Sequence, residues 1–308
     1  MQEKKNKRLA LMLLILTIIT VVVYGWNTKE KVQVDKNIFR LADYKTVDRV
    51  VLTSARGKVE LVFNGARWKV NGQYDADRNL ISLLFATLQQ AEPKRPVPAY
   101  QQDSINALME KTGVEVFLYS GQKTEQRFLA GGNSLKTQAY FKELSGNGIY
   151  LVNIPGYRVY VSGILELTES EWRDKQVFGF NWRNFQSLQA EFPDKPSENF
   201  KVSMQNGLFS VDDIPRTDTT KLSAFLENVY QLAVNEYLEP GTFTDSLLTL
   251  KPLMVLTVAD IGKRQYSLKI FREKGSQILG LLDEKQGVVF NRLKIQPILR
   301  PKSFFRTQ

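Results

Sequence analysis

The sequence predicts an α+β protein, an N-terminal transmembrane helix followed by two tandem repeats, each an antiparallel sheet with one long amphipathic helix. Three observations point that way. Residues 9–26 form an uncharged apolar run behind Lys4, Lys5, Lys7 and Arg8. Leu80, Leu83, Leu84, Leu88 and Ala91 recur 142 positions later as Leu222, Phe225, Leu226, Tyr230 and Ala233, and the same offset relates Gln89 to Gln231 and Asn64-Gly65 to Asn206-Gly207. Around both helices, short apolar or alternating runs bounded by turn residues follow one another in the same order, which is the pattern of a sheet covered on one face.

Each element has its own reason. At about 1.5 Å per residue the apolar run reaches about 27 Å, close to the hydrocarbon thickness of a bilayer. It ends Val23-Tyr24-Gly25-Trp26-Asn27, without the small-x-small pattern of a cleaved signal, and the chain has no cysteine to carry a lipid. An uncleaved anchor with Tyr24 and Trp26 in the interfacial belt is therefore expected. Residues 1–8 are the basic cytoplasmic tail, 9–26 the anchor and 27–37 a polar stalk. The first repeat, 38–153, opens with strands at 47–52 and 59–63, a two-residue turn at Asn64-Gly65, and a return strand with Trp68 and Val70. Asp77 is placed to cap the leucine helix. Residues 94–97, a short helical piece at 105–109, and strands at 114–119, 125–129, 138–143 and 149–152 complete it. Residues 154–187 are rich in aromatic side chains. The second repeat, 188–291, has strands at 188–192 and 201–204, a turn at Asn206-Gly207, Phe209 and Val211, Thr219 as the helix cap, a helix to Ala233, and strands at 253–258, 266–271, 277–282 and 288–291. Gly121 and Gly262 mark corresponding hairpins. Residues 292–308 form a basic tail, either an edge strand ending in a loose tail or a segment that docks onto a partner.

Composition narrows the chemistry. With no histidine and no cysteine among 308 residues, serine–histidine and cysteine–histidine catalysis and the usual zinc ligands are excluded. The net charge of +10 is scattered among acids, so nucleic acid is not an expected partner. Glu169, Glu171 and Asp174 are the densest acidic group beside aromatic residues, but neighbours in sequence rarely face each other across a substrate as a carboxylate hydrolase needs. Ser120-Gly121-Gln122-Lys123 has a serine–lysine spacing but falls in a hairpin turn, and Gly131-Gly132-Asn133-Ser134 lacks the lysine and helix of a phosphate loop. No EF-hand spacing is present. The expectation is no catalytic residues, no cofactor and no metal.

What remains are contact residues. Tyr157, Tyr160, Trp172, Phe178, Phe180, Trp182 and Phe185 either offer a platform for sugar rings or a partner, or fill a seam between the repeats. Trp172-Arg173-Asp174-Lys175 is the most distinctive run, read as an inter-repeat clamp or a contact surface. The candidate partner or ligand contacts are Trp172, Arg173, Asp174, Lys175, Tyr157 and Trp182.

The strand, the Asn-Gly hairpin with Trp68, the helix led by Asp77, the Trp172–Lys175 run with Phe178 and Phe180 behind it, and the second copy together resemble the bacterial family called domain of unknown function 4340, over residues 39–291. The resemblance implies a single-anchor envelope protein, of a kind often encoded beside gliding-type ABC transporter components, and hence an accessory role at a transporter. It brings no catalytic residues. The expected function is a non-enzymatic accessory or interaction protein in the cytoplasmic membrane, its large domain on the periplasmic side, with an ABC-type transporter or other envelope complex as partner. Binding of envelope polysaccharide is the alternative, and a carboxylate hydrolase the third reading.

Overall fold

A computed structural model describes residues 2–26, 34–41, 43–146, 148–180, 183–205, 207–239, 241–272, 275 and 277–307. The chain is α+β, with an apolar N-terminal helix and antiparallel sheets. In order, the elements are α1 (Gln2–Trp26), β1 (Arg49–Ser54), β2 (Gly57–Phe63), β3 (Trp68–Val70), β4 (Tyr74–Asp75), α2 (Arg78–Gln90), β5 (Glu92–Pro96), α3 (Ala99–Thr112), β6 (Val114–Ser120), β7 (Lys123–Gly132), β8 (Ala139–Glu143), β9 (Ile149–Asn153), α4 (Glu169–Trp172) and β10 (Phe185–Glu191). They continue with β11 (Phe200–Gln205), β12 (Leu208–Val211), α5 (Thr219–Tyr230), β13 (Glu236–Tyr237), α6 (Thr242–Thr249), β14 (Met254–Asp260), β15 (Gln265–Ile270), β16 (Gln277–Leu282), β17 (Gln286–Asn291) and α7 (Arg292–Ile295). Two compact units divide the chain, residues 1–47 with 84–165, and residues 48–83 with 166–308.

In the first unit, α1 holds the span Lys5–Val23, long and apolar enough to cross a membrane and with none of its window buried in the protein. The rings of Tyr24 and Trp26 and the stalk residues 27–33 lie outside the described residues. The body is a sheet in the order β6-β7-β8-β9-β5. Phe39 closes one face, its ring 5.6 Å from Phe128, 5.4 Å from Phe141 and 5.8 Å from Tyr150. Val97, Met109, Leu129, Tyr140 and Ile149 form a smaller cluster under α3. That helix is longer than the expected piece at 105–109, because only Met109 along it is buried and its periodicity is faint.

The second unit contains the meander β4-β3-β2-β1 and a sheet in the order β12-β11-β10-β14-β15-β16-β17-β13. Leu222, Phe225, Leu226 and Val229 of α5 join a core with Leu188, Val202, Leu256, Leu268 and Phe290. The α5 cap is Asp218, whose carboxylate accepts from the Lys221 N–H at 3.0 Å, one residue before the expected Thr219. An aspartate accepts that bond from the position before the helix, whereas Thr219 is already its first residue.

Other expectations need correction. On α2 the buried stripe is Ile81, Leu84, Phe85 and Leu88, while Leu83 is 52% exposed. Leucine spacing alone cannot tell which of two adjacent stripes turns inward. The Asn64-Gly65 pair does not form a two-residue turn. Phe63 pairs with Trp68, leaving residues 64–67 between, and the Asn64 side chain accepts from the N–H groups of Ala66 and Arg67. In the other hairpin Gln205 pairs directly with Leu208; Asn206 itself lies outside the described residues.

The C-terminal segment is not a loose tail. Ile295 and Ile298 are buried, and the Phe305 ring lies 5.0 Å from Phe200 and 5.2 Å from Phe225. Phe305 C=O accepts from the Asp218 N–H at 2.9 Å, so the segment closes over the start of α5. Burial of its few apolar side chains outweighs its basic composition. Phe305→Ala is expected to cost about 3–5 kcal/mol and Asp218→Ala about 1 kcal/mol, read as shifts in the denaturant midpoint of the full chain in detergent.

Candidate functional site

The distinctive Trp172–Lys175 run lies in the second unit. Thr168 opens α4, and its backbone N–H and hydroxyl both donate to the Glu171 carboxylate, at 2.8 and 2.9 Å. The helix stops after one turn and the chain leaves extended. Ala76 and Arg173 form an antiparallel bridge, flanked by Asp77 N–H to Trp172 C=O at 2.9 Å and Asp174 N–H to Asp75 C=O at 2.8 Å. Further on, Val234 N–H donates to Lys175 C=O at 2.8 Å, Val177 N–H to Leu232 C=O at 3.0 Å, and the Tyr237 hydroxyl to Asp174 C=O at 2.6 Å. Residues 172–177 therefore stitch the end of β4 to the segment leading into β13.

At the centre of this stitch the Arg173 guanidinium lies between two rings, 3.6 Å from the centroid of Tyr74 and 3.7 Å from that of Tyr237. Its Nη1 donates to Gln286 Oε1 at 3.1 Å, and the Gln286 amide is fixed in turn by donating to Leu238 C=O at 2.7 Å and Gly287 C=O at 3.0 Å. Among the described residues the charge is met by two ring faces and an amide, without a carboxylate. A planar, weakly hydrated guanidinium suits such a slot, and an ammonium does not. The preceding residue, Trp172, is fully buried, and among the described residues its indole N–H has no partner.

The candidate contacts therefore separate. Trp172 and Arg173 are buried, Asp174 is exposed and Lys175 half-buried, all in the second unit. Tyr157 belongs to the first unit and is 64% exposed. Trp182 lies outside the described residues. Of the other aromatics in the segment, Phe178, Phe180 and Phe185 are in the second unit's core. Tyr74, Tyr237 and Gln286, which hold Arg173, carried no sequence signal, since neither spacing nor composition ties them to it.

The acidic group is spent on structure. Glu171 caps α4, Glu169 accepts from the Asn71 side-chain amide, and Asp174 accepts from the Gln176 N–H at 3.0 Å. Burial pushes the Glu171 carboxyl up, but hydrogen bonds from Thr168 and the charges of Arg56 and Lys175 outweigh it and hold it below its ordinary value. A general acid needs the opposite shift. Likewise burial raises Asp75, and Lys69 at 2.8 Å with Arg67 at 3.1 Å brings it below its usual range. Ser120 and Lys123 pair across the β6–β7 turn, and Asn133 organises the turn after β7 through its side-chain oxygen.

An apolar N-terminal helix long enough to cross a membrane and an α+β body with an internal arginine–tyrosine stack define the class of protein at hand. Residues 68–252 match the family described as Domain of unknown function (DUF4340), and the chain belongs to that family. No curated protein and no solved structure matches it.

Arg173→Lys is expected to cost about 1–2 kcal/mol and Arg173→Ala about 3 kcal/mol in urea unfolding, because the first loses the planar stack and the second also strands the Gln286 amide. Stability should fall at both pH extremes. Burial raises the Tyr237 hydroxyl from 10.0 to about 12, so the folded state keeps a proton the unfolded chain has released, and stability is lost as pH rises from 10 to 12. Asp75 and Glu171, held low, stabilise the fold above their unfolded values, and that contribution disappears as pH falls through their folded ones. Tyr237→Phe should remove its share of the alkaline decline in a pH series of unfolding midpoints and leave the acid side unchanged.

Proposed function

We propose that this chain is a non-enzymatic, membrane-tethered protein whose α+β body stands on the periplasmic side of the cytoplasmic membrane and docks onto an envelope protein complex, with an ABC-type transporter as the expected partner. The observation that carries this reading is the pairing of an unburied apolar span with a body whose distinctive polar groups hold its own backbone together. Membership of a family without assigned chemistry is consistent with it. Basic residues flank the span on both sides, Lys4, Lys5, Lys7 and Arg8 before it and Lys29, Lys31, Lys36 and Arg40 after it, so the orientation rests on the layout of a signal anchor, a basic stretch, one apolar span and a long chain behind it.

The body is also proposed to be a duplicated module, in the register given by its helices. The caps Asp77 and Asp218 are 141 residues apart, as are the buried pairs Ile81/Leu222, Leu84/Phe225, Phe85/Leu226 and Leu88/Val229. That displacement differs by one from the offset of the leucine pattern, and it also relates Gly121 to Gly262. The order β6-β7-β8-β9-β5 corresponds to β14-β15-β16-β17-β13, and α2 and α5 each precede the strand that ends its series.

A photo-crosslinking residue at Asp174 or Lys175, in intact cells, tests the docking. Adducts with subunits of one membrane complex are the expected result. Capture of polysaccharide alone would transfer the reading to glycan binding, and activity on an envelope polymer that disappears in a Glu169→Gln, Glu171→Gln, Asp174→Asn variant would replace it with a hydrolase.

A further inference from the structure

We infer that one end of the first unit's sheet lies against the bilayer that α1 spans, with Leu135, Tyr157 and Val159 entering the headgroup region and Lys136 and Arg158 meeting anionic lipid. This rests on the anchor part of the reading above.

The strand register brings these residues to one end. Gly132 pairs with Ala139 across the β7–β8 turn, Ala139 pairs with Val152 near the end of β9, and Glu92 at the start of β5 pairs with Asn153. The turn 133–138 and the loop 154–160 thus leave neighbouring strands side by side. Both are built firmly. Asn133 Oδ1 accepts from the N–H groups of Thr137 and Gln138 at 2.8 and 3.0 Å, and Tyr157 N–H donates to Ile154 C=O at 3.1 Å. Tyr160 packs where any side chain on Gly132 would collide, and Ser162 Oγ donates to Gly131 C=O at 2.6 Å. On this support Leu135 is 81% exposed, Tyr157 64% and Val159 51%, with Lys136 and Arg158 exposed beside them.

Chain length says what covers them. The Lys36 ammonium is 3.5 Å from the Glu92 carboxylate, at the same end of the sheet. Helix α1 ends at Trp26, and ten residues cannot carry Lys36 farther than about 35 Å from it. The end bearing the exposed apolar residues is therefore the end tied to the membrane. A tyrosine between apolar and basic neighbours is the composition that settles at headgroup depth. Tyr100 is the internal control. It is as exposed as Leu135 but lies at the opposite end of the sheet, past the Val97 N–H bond to Ile149 C=O at 2.8 Å.

The absence of cysteine makes the test direct. Single variants Leu16→Cys, Leu135→Cys, Tyr157→Cys and Tyr100→Cys of the full chain, labelled with an environment-sensitive fluorophore, are reconstituted in nanodiscs containing phosphatidylglycerol and a nitroxide-bearing lipid. Strong quenching at 16, clear quenching at 135 and 157, and none at 100 is the expected result. Lys136→Glu with Arg158→Glu should lower the membrane-contacting fraction by about tenfold in these discs. Quenching at 16 with probes at 135 and 157 as dark to the quencher as the one at 100 overturns the docking and leaves the anchor intact. No quenching at 16 overturns the anchor, and the docking with it.

Discussion

The second unit is closed by the stack of Tyr74, Arg173 and Tyr237. The unit is discontinuous, since residues 48–83 and 166–308 are separated in sequence by the whole of residues 84–165. Bringing two such stretches together costs loop-closure entropy that no local hydrogen bond repays. The extended segment 172–177 meets that cost by bonding to β4 on one side and to the approach to β13 on the other, and Arg173 sits where the two meet. Cation–π contacts gain most when the cation is withdrawn from water, and Arg173 is itself buried.

That arrangement explains why a cluster of charged and aromatic residues, the usual appearance of a functional site, has so little chemistry to offer. Thr168 and Asn71 occupy two of the nearby carboxylates, and the Asp174 side chain turns back to its own backbone. A carboxylate whose lone pairs are taken by hydrogen-bond donors is a poor base, and Glu171, held below its ordinary value by Thr168, is a poor acid as well. Tyr237 is committed too, its hydroxyl donating to Asp174 C=O while its ring serves Arg173. What this region presents to solvent is the outer side of the stitch, Asp174 and Gln176 with part of Lys175.

Much of the fold was legible in the sequence because periodicity and turn chemistry are local. The strands at 114–120, 149–153 and 277–282, the Asp77 cap and the hairpin at Gly121 follow from residues a few positions apart. The failures have a common cause. Whether Leu83 or Phe85 faces inward depends on what the helix packs against, and α6 has too few turns for a period, with Leu247 its one buried side chain among those described. The C-terminal segment reads as basic and proline-containing, yet three apolar residues, Ile295, Ile298 and Phe305, decide its position. For the site the sequence supplied Trp172 and Arg173, but not the rings that hold the guanidinium or the amide of Gln286, 113 residues away. Long-range partners leave no local trace in a single sequence.

On the proposed duplication, features common to both copies belong to the scaffold and differences point to what each copy does. The capping aspartate, the buried helix stripe and the strand order are common, and they are the parts that bury apolar surface. The differences are peripheral. Among the described residues, the first copy alone adds an edge strand, β4, whose Tyr74 supplies one face of the arginine stack. Its loop after β9, at 154–160, carries Tyr157 and Val159 outward, whereas in the second copy the chain after β17, the strand corresponding to β9, passes into α7 and buries Ile295 and Ile298. At this corresponding place the first copy exposes Tyr157 and Val159, and the second buries Ile295 and Ile298 while leaving Leu293 in solvent. On that reading the divergence falls in connections outside the shared scaffold, where a change of sequence disturbs the core of neither copy.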